Sequence, residues 1–76
     1  MSSNNQIIIR KEKRKWRTQE RYKFIIYLNP CVDNEFEYNK EDIIGASWVL
    51  ENAVQLANNY MKNCEFPIEY GISLEI

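Results

Sequence analysis

Residues 22–28 of this 76-residue sequence read YKFIIYL, and five of these seven side chains are aromatic or β-branched. Such residues are enriched in β-strands, and Asn29-Pro30 directly after them is typical of a strand end. Both alternating faces are apolar, because Ile25 and Tyr27 point away from Phe24. We predict a central strand that is covered on both faces, with Ile25 and Tyr27 as candidate partner contacts on the face that a single helix leaves free. The alternative is that this face packs within the chain's own core.

The residues before this segment predict a second strand and a hairpin. Ile7-Ile8-Ile9 begins a β-branched run that continues through a basic stretch to Trp16, and the polar residues 17–20 suit a turn. The two strands are expected to pair antiparallel. The sequence does not fix their register, because Thr18-Gln19 is not one of the strong two-residue turn pairs. Residues 1–6 are polar without periodicity and are expected to form a disordered tail.

Two further segments after Pro30 predict strands. Residues 35–38 alternate between polar and apolar side chains and can extend as a strand to Ile44. Residues 68–76 alternate throughout, as expected of a strand with one buried and one solvated face. With one helix between them, the predicted order is β-β-β-α-β. We therefore predict an α+β fold in a single domain over residues 1–76, with a small antiparallel sheet and one amphipathic helix packed across one face.

The predicted helix covers residues 46–61, where apolar side chains recur at about 100° per residue. Ser47 is expected to cap its start, and Asn63 to close it. An alternative start at Lys40 would place Gly45 inside the helix, so the later start is preferred. Three alanines lie along the apolar face and would let it approach a sheet closely: Ala46, Ala53 and Ala57.

The polar face of this predicted helix contains a tryptophan. Trp48 falls opposite the alanines, on the same side as Gln55 and Asn59. A large aromatic side chain is costly to leave in water, and tryptophan is enriched at binding hot spots. We interpret Trp48, Gln55 and Asn59 as a candidate partner-binding surface. The alternative is that a loop folds over Trp48.

Charge is divided unevenly along the chain. The net charge is −1, but residues 1–23 sum to +6 and residues 24–76 to −7. The candidate basic patch consists of Arg10, Lys11, Lys13, Arg14, Lys15, Trp16, Arg17, Arg21, Tyr22 and Lys23. Cations interleaved with Trp16 and Tyr22 favour single-stranded nucleic acid, by phosphate attraction and base stacking. The alternatives are a strand edge that charge protects from pairing and a patch that steers an acidic protein partner.

The sequence lacks the residues that several kinds of catalytic, phosphate-binding and metal-binding site require. It contains no histidine, the commonest general base and a frequent metal ligand. Gly45 and Gly71 are too far apart to form a phosphate-binding loop. Cys31 and Cys64 are too few for a tetrahedral zinc site and are expected to be free thiols in a reducing compartment. We therefore predict no enzyme activity, no metal and no cofactor.

Composition guides the expected location and the leading hypothesis. No run of about 18 apolar residues is present, and residues 1–6 lack the pattern of a secretory signal, so a cytoplasmic protein without a membrane partner is expected. Asn, Ile, Lys and Tyr make up 30 of the 76 residues, and their AT-rich codons are typical of AT-rich bacteria and their phages. The leading hypothesis is a small phage or mobile-element protein, located in the bacterial cytoplasm, that regulates or inhibits another protein. The alternatives are nucleic-acid binding through residues 10–23 and a structural homo-oligomer, such as a homodimer, that buries the second sheet face.

Overall fold

The structure, a computed structural model, describes residues 5–32, 35–64 and 68–76. Its elements are strands β1 (Gln6–Trp16), β2 (Gln19–Asn29), β3 (Ile43–Ser47) and β4 (Ile72–Glu75), helix α1 (Leu50–Asn63) and a 3₁₀ turn at Lys40–Asp42. The predicted α+β class and the order β-β-β-α-β are confirmed.

The strands form one mixed sheet in the order β3-β2-β1-β4. β1 pairs antiparallel with β2, and β2 pairs antiparallel with β3. β4 pairs parallel with β1, from Ile7 opposite Ile72 to Arg10 opposite Glu75, so the expectation of a purely antiparallel sheet is wrong. β3 and β4 run in the same direction on opposite edges of the sheet. Parallel strands need a crossover connection, and α1 supplies it.

β1 and β2 form a long hairpin with a tight turn. Trp16 pairs with Gln19, and the pairing continues to Gln6 opposite Asn29, so the predicted antiparallel hairpin is confirmed. The turn consists of Arg17-Thr18, shorter than the predicted turn. Arg17 has φ of 56°, in the left-handed region that is unfavourable for a residue with a Cβ atom. The regular ladder on both sides of the turn holds it in this conformation.

The main core lies between α1 and one face of the sheet. Ile7, Ile9 and Ile26 are at most 1% exposed and pack against Ala53 and Ala57, which are fully buried. The small alanine side chains let the helix backbone approach the strands, as predicted for these two positions. Burying each isoleucine stabilises the fold by about 1.5–3 kcal/mol, so this cluster contributes much of the hydrophobic stabilisation.

The opposite face of the sheet is covered by the chain's own residues 35–38. Ile25 and Tyr27 are 5% and 3% exposed. Phe36 and Tyr38 pack edge-on against Tyr27, with ring centroids 5.8 Å and 5.1 Å away. Residues 35–38 therefore do not form the predicted strand; they cover this face without pairing in the sheet. Core packing within the chain, the alternative to a partner or a dimer over this face, thus accounts for the burial of Ile25 and Tyr27.

Helix α1 begins four residues later than predicted, at Leu50. Residues 43–47 form β3 instead, so Ala46 lies in the sheet and not on the helix. The predicted cap, Ser47, ends β3, where its hydroxyl accepts a hydrogen bond from the Val49 N–H at 3.2 Å. The alternative start at Lys40 amounts to a single 3₁₀ turn.

The N-terminal segment is anchored where the sequence predicts a tail. Asn5 is 2% exposed. Its carbonyl accepts a hydrogen bond from the Tyr70 N–H, and its side-chain oxygen accepts one from the Glu69 N–H, both at 3.1 Å. Gln6 begins β1, so the predicted tail is wrong at residues 5–6 because the C-terminal segment binds them; residues 1–4 lie outside the described part of the chain.

The last strand is shorter than predicted. Gly71 has φ of 67°, a left-handed conformation that glycine adopts without steric cost, and its carbonyl accepts a hydrogen bond from the Ile7 N–H at 2.9 Å. This bend breaks the alternation before Ile72. α1 packs on β3, β2 and β1, so Leu74 on β4 stays half-exposed. Within the described residues, no helix combines the length and apolarity needed to cross a membrane.

Candidate nucleic-acid interface

The distal half of the hairpin projects from the rest of the protein as a two-stranded arm. β4 pairs with β1 only as far as Arg10, and β3 pairs with β2 only as far as Phe24. The molecule is accordingly elongated, at 49 × 25 × 19 Å. We call residues 10–23 the basic arm. Eight cations and two acids give it a net charge of +6.

Strand alternation divides the side chains of the basic arm between two faces. One face continues the surface on which the helix packs. The other continues the surface covered by Phe36 and Tyr38, and we call its exposed distal part the tryptophan face. Its members are Glu12, Arg14, Trp16, Gln19, Arg21, Lys23 and, from outside the arm, Trp48.

Trp48 reaches the tryptophan face from the connection between β3 and α1. Ser47 pairs with Phe24, so the next residue, Trp48, lies beside the neighbouring part of β2. The Cζ atom of Arg21 and the Nζ atom of Lys23 each lie 5.4 Å from the Trp48 ring centroid. These distances are within the range of cation–π attraction, which holds the indole over the arm.

The prediction that Trp48 lies on the polar face of the helix is wrong. β3 extends as far as Ser47, and Val49 is still extended, so Trp48 precedes the first helical turn. Gln55 and Asn59 are exposed on α1 and do not line the cleft beside Trp48. The structure therefore separates the three residues that the sequence groups as one partner surface.

A cleft of about 420 Å³ lies on the tryptophan face. It is lined by Arg14, Lys15, Trp16, Gln19, Arg21, Lys23 and Trp48. Four of these side chains are cationic, two are tryptophans and none is a carboxylate. Trp16 is 72% exposed and Trp48 is 49% exposed. Two large aromatic rings thus stand in solvent among cations that attract anions.

Arg14 and Arg21 occupy directly opposite positions in the hairpin. Like charges at opposite positions destabilise an antiparallel pair. The next pair on this face, Glu12 with Lys23, has opposite charges, and a carboxylate oxygen of Glu12 lies 3.7 Å from the nearer guanidinium nitrogen of Arg14. The Glu12 carboxylate partly offsets the repulsion between the two arginines, and an anion placed between them would relieve the remainder.

Tyr22 lies on the other face of the basic arm from Trp16. The Nζ atom of Lys11 lies 4.0 Å from the Tyr22 ring centroid. The sequence pairs Trp16 with Tyr22 as stacking residues, but the structure does not bring them together. Trp48, which is distant in sequence, lines the cleft together with Trp16 and also borders a neighbouring hollow that Tyr22 and Glu20 line.

The remaining basic residues are distributed around the arm. Lys13 forms a half-exposed salt bridge with Glu20 at 3.1 Å. Arg10 stacks over the Tyr38 ring, with its Cζ atom 4.2 Å from the centroid. Arg17 occupies the turn. These side chains raise the local potential without lining the cleft.

An acidic cluster lies at the far end of the hairpin from the cleft. Glu35, Glu37 and Asp42 line a hollow beside Asn29, the last residue of β2. Eight residues of extended strand separate Asn29 from Arg21, a distance of about 26 Å. This separation is about three Debye lengths at physiological salt, so the acidic cluster does little to neutralise the cleft.

A hydrogen bond at the base of the arm holds Glu12. The Tyr27 hydroxyl donates to the Glu12 carboxylate at 2.9 Å. Burial, followed by this hydrogen bond and the negative charge of Glu12, raises the pKa of Tyr27 to about 12. The bond ties one carboxylate oxygen to the core, and the other oxygen lies 3.7 Å from the Arg14 guanidinium.

Replacing Tyr27 with phenylalanine is expected to remove a pH-dependent part of the stability. Because the folded-state pKa of Tyr27 is raised, its contribution is complete below pH 10 and is lost as the pH rises through about 12. The lost hydrogen bond to a charged acceptor should cost about 1.5–3 kcal/mol at neutral pH. Urea denaturation across this range should show a smaller alkaline loss in Tyr27→Phe than in the wild type. Identical alkaline losses in Tyr27→Phe and the wild type would contradict the assignment.

The described residues contain no group of three His, Cys, Asp or Glu side chains placed to hold a metal ion. Cys31 and Cys64 are free, half-buried thiols, as predicted. The fold and the site define a small α+β protein with a projecting arm that carries cations and exposed tryptophans. No protein-family model, curated protein or solved structure matches the chain.

Proposed function

We propose that this chain is a non-enzymatic binding protein that holds a nucleic acid against its basic arm. The observation that supports this function most strongly is the lining of the cleft, which among the described residues has four cations, two tryptophans and no carboxylate. Phosphates bind the cations, and base rings offer flat surfaces to the indoles. One ligand class thus satisfies both kinds of side chain.

The placement of charge favours the same ligand. The basic arm carries a net charge of +6, and the acidic cluster of Glu35, Glu37 and Asp42 lies at the other end of the hairpin. A phosphate between Arg14 and Arg21 would accept charge-assisted hydrogen bonds from both guanidinium groups and replace their repulsion with attraction. A nucleic acid can therefore lie along the arm without approaching the acidic end.

The hypothesis that this chain regulates or inhibits another protein loses support once the positions of its candidate contact residues are known. The apolar surface of Ile25 and Tyr27 is covered, and Trp48 stands in the cationic cleft. An acidic protein surface would pair with the cations, but aspartate and glutamate side chains offer no ring to the two tryptophans. If the cations only protected a strand edge from pairing with other chains, their presence would be explained, but the two exposed tryptophans would not.

Binding to a fluorescently labelled oligonucleotide over a series of salt concentrations tests the proposal. If the four cations of the cleft neutralise four phosphates, log K should fall against log salt with a slope of about −3 for a single strand. Lys15→Gln with Lys23→Gln removes two cleft cations and should reduce the slope by about 1.4 units. Lys40→Gln with Lys62→Gln makes the same change in net charge at exposed sites outside the arm and should leave the slope unchanged.

Two results would overturn the proposal. One is the absence of any anisotropy change with single-stranded and double-stranded oligonucleotides at low salt. The other is an equal loss of affinity in both double variants, since net charge alone would then account for the binding. A chain that fails with oligonucleotides but binds a polyglutamate peptide with the same dependence on Lys15 and Lys23 would be a binder of acidic proteins.

A further inference from the structure

We infer that the nucleic acid held by the basic arm is single-stranded, with one base stacked on Trp16, one on Trp48, and the intervening phosphates on Arg14 and Arg21. This inference rests on the proposed function and specifies its ligand. One exposed indole by itself would not indicate a single-stranded ligand. The inference comes from the two rings sharing one cleft with two guanidinium groups between them.

The strand register gives the spacing of the two indoles. Trp16 pairs with Gln19, whereas the Trp48 ring is equidistant from Arg21 and Lys23, at 5.4 Å from each cation. Arg21 and Lys23 lie two and four residues along β2 from Gln19, so the rings are separated by about 7–13 Å along the strand axis. This distance is too long for two bases stacked directly on each other. It suits two unstacked bases with sugar and phosphate between them.

A duplex does not offer accessible base faces on which the two indole rings could stack. In double-stranded DNA the faces of the bases are stacked within the helix, and a protein reads their edges in the grooves. In a single strand the faces are accessible, and an aromatic side chain can stack on any base. Trp16 is 72% exposed and Trp48 is 49% exposed, so both have ring surface available. A duplex would contact the cations alone and would leave both indoles in water.

The same geometry separates stacking from simple charge attraction. The arm would attract any polyanion through its +6 charge. Only a ligand with bases gains from Trp16 and Trp48, and each stacked base should raise affinity by about 5- to 150-fold. A phosphodeoxyribose strand without bases should therefore bind with a similar dependence on salt and a lower affinity.

The chain contains only two tryptophans, so each can report on its own site. The variants Trp16→Phe and Trp48→Phe each keep one indole, whose fluorescence a stacked base quenches. Each should be titrated with an oligothymidylate of about twelve nucleotides, a length within the usual range of single-strand sites. An abasic strand and a duplex of equal length serve as comparisons. We expect oligothymidylate to quench both indoles, and the abasic strand and the duplex to quench neither. The affinity for oligothymidylate should be at least about fivefold above that for the abasic strand.

Affinity measurements with alanine variants complete the test. Trp16→Ala should weaken oligothymidylate binding by about 5- to 150-fold and leave abasic-strand binding unchanged. Tyr70→Ala removes a half-exposed aromatic side chain outside the arm and should change neither. Because Trp16 is mostly exposed, its replacement should leave the protein folded, which a thermal unfolding curve can verify.

The outcomes distinguish this inference from the proposed function. Equal affinity for oligothymidylate and the abasic strand, without quenching, would overturn the stacking inference and leave the charge-based function standing. Tighter binding of the duplex would overturn it in favour of groove binding. Failure of all three ligands to bind at low salt would overturn the proposed function itself.

Discussion

Replacing Arg21 with glutamate is expected to weaken oligonucleotide binding by at least about tenfold while changing the stability of the free protein little. A hydrogen bond to a charged group contributes about 1.5–3 kcal/mol, which corresponds to a factor of roughly ten to more than a hundred in affinity. Arg21 lies opposite Arg14, so the variant exchanges a like-charge pair for an opposite-charge pair. Such an exchange should stabilise the hairpin by about 0.2–1 kcal/mol, which offsets the loss of the cation–π contact between Arg21 and Trp48.

Two measurements together check this prediction. Fluorescence anisotropy at low salt gives the affinity, and urea denaturation gives the free energy of unfolding. Arg17→Glu serves as the control, because it makes the same change in net charge on the arm at a residue that does not line the cleft. Its effect on affinity should be clearly smaller. An Arg21→Glu protein destabilised by more than about 1 kcal/mol, or equal losses of affinity in both variants, would contradict the interpretation that the two arginines are placed for an anion.

Replacing Ile26 with alanine is expected to destabilise the protein by about 2–5 kcal/mol. Ile26 is 1% exposed, pairs with Ile9 on β1 and Gly45 on β3, and packs beneath the alanines of α1. The free energy of unfolding of a chain of this length is about 4–11 kcal/mol, so the substitution should remove a large share of it. The midpoint of thermal unfolding should fall by at least about 8 °C.

Circular dichroism during heating gives this midpoint directly. Leu74→Ala serves as the control, because it removes the same number of carbon atoms from a half-exposed side chain on edge strand β4. It should lower the midpoint by a small fraction of the shift seen for Ile26. Equal shifts in the two variants would mean that the core does not lie between α1 and the centre of the sheet.

Local patterns predicted the parts of the fold that depend on neighbouring residues. The β-branched and aromatic segments on either side of Arg17-Thr18 identified the hairpin, and periodicity identified α1 and the burial of Ala53 and Ala57. The charge imbalance also identified residues 10–23 as the basic segment. Each of these features follows from residues that are close together along the chain.

The start of the helix could not be read from its capping signal alone. Serine at position 47 is a favoured N-cap, but it is followed by Trp48 and Val49, both of which favour strands. In the structure the chain stays extended through Val49, because β3 pairs with β2 as far as Ser47 opposite Phe24. The strand propensity of Trp48 and Val49 was the signal that could have placed the helix at Leu50.

The basic arm was the feature that the sequence by itself determined, in its position, its charge and its hairpin form, because alternation and charge are local properties. The tertiary structure decided which side chains lie together on each face of the arm. Pairing of β3 with β2 brings Trp48 beside Arg21 and Lys23, and alternation sends Tyr22 to the face opposite Trp16. Residues 35–38 cover Ile25 and Tyr27 and leave the distal arm exposed. These contacts join residues far apart in the chain, and their free energy comes from burying surface between elements, which no single segment encodes.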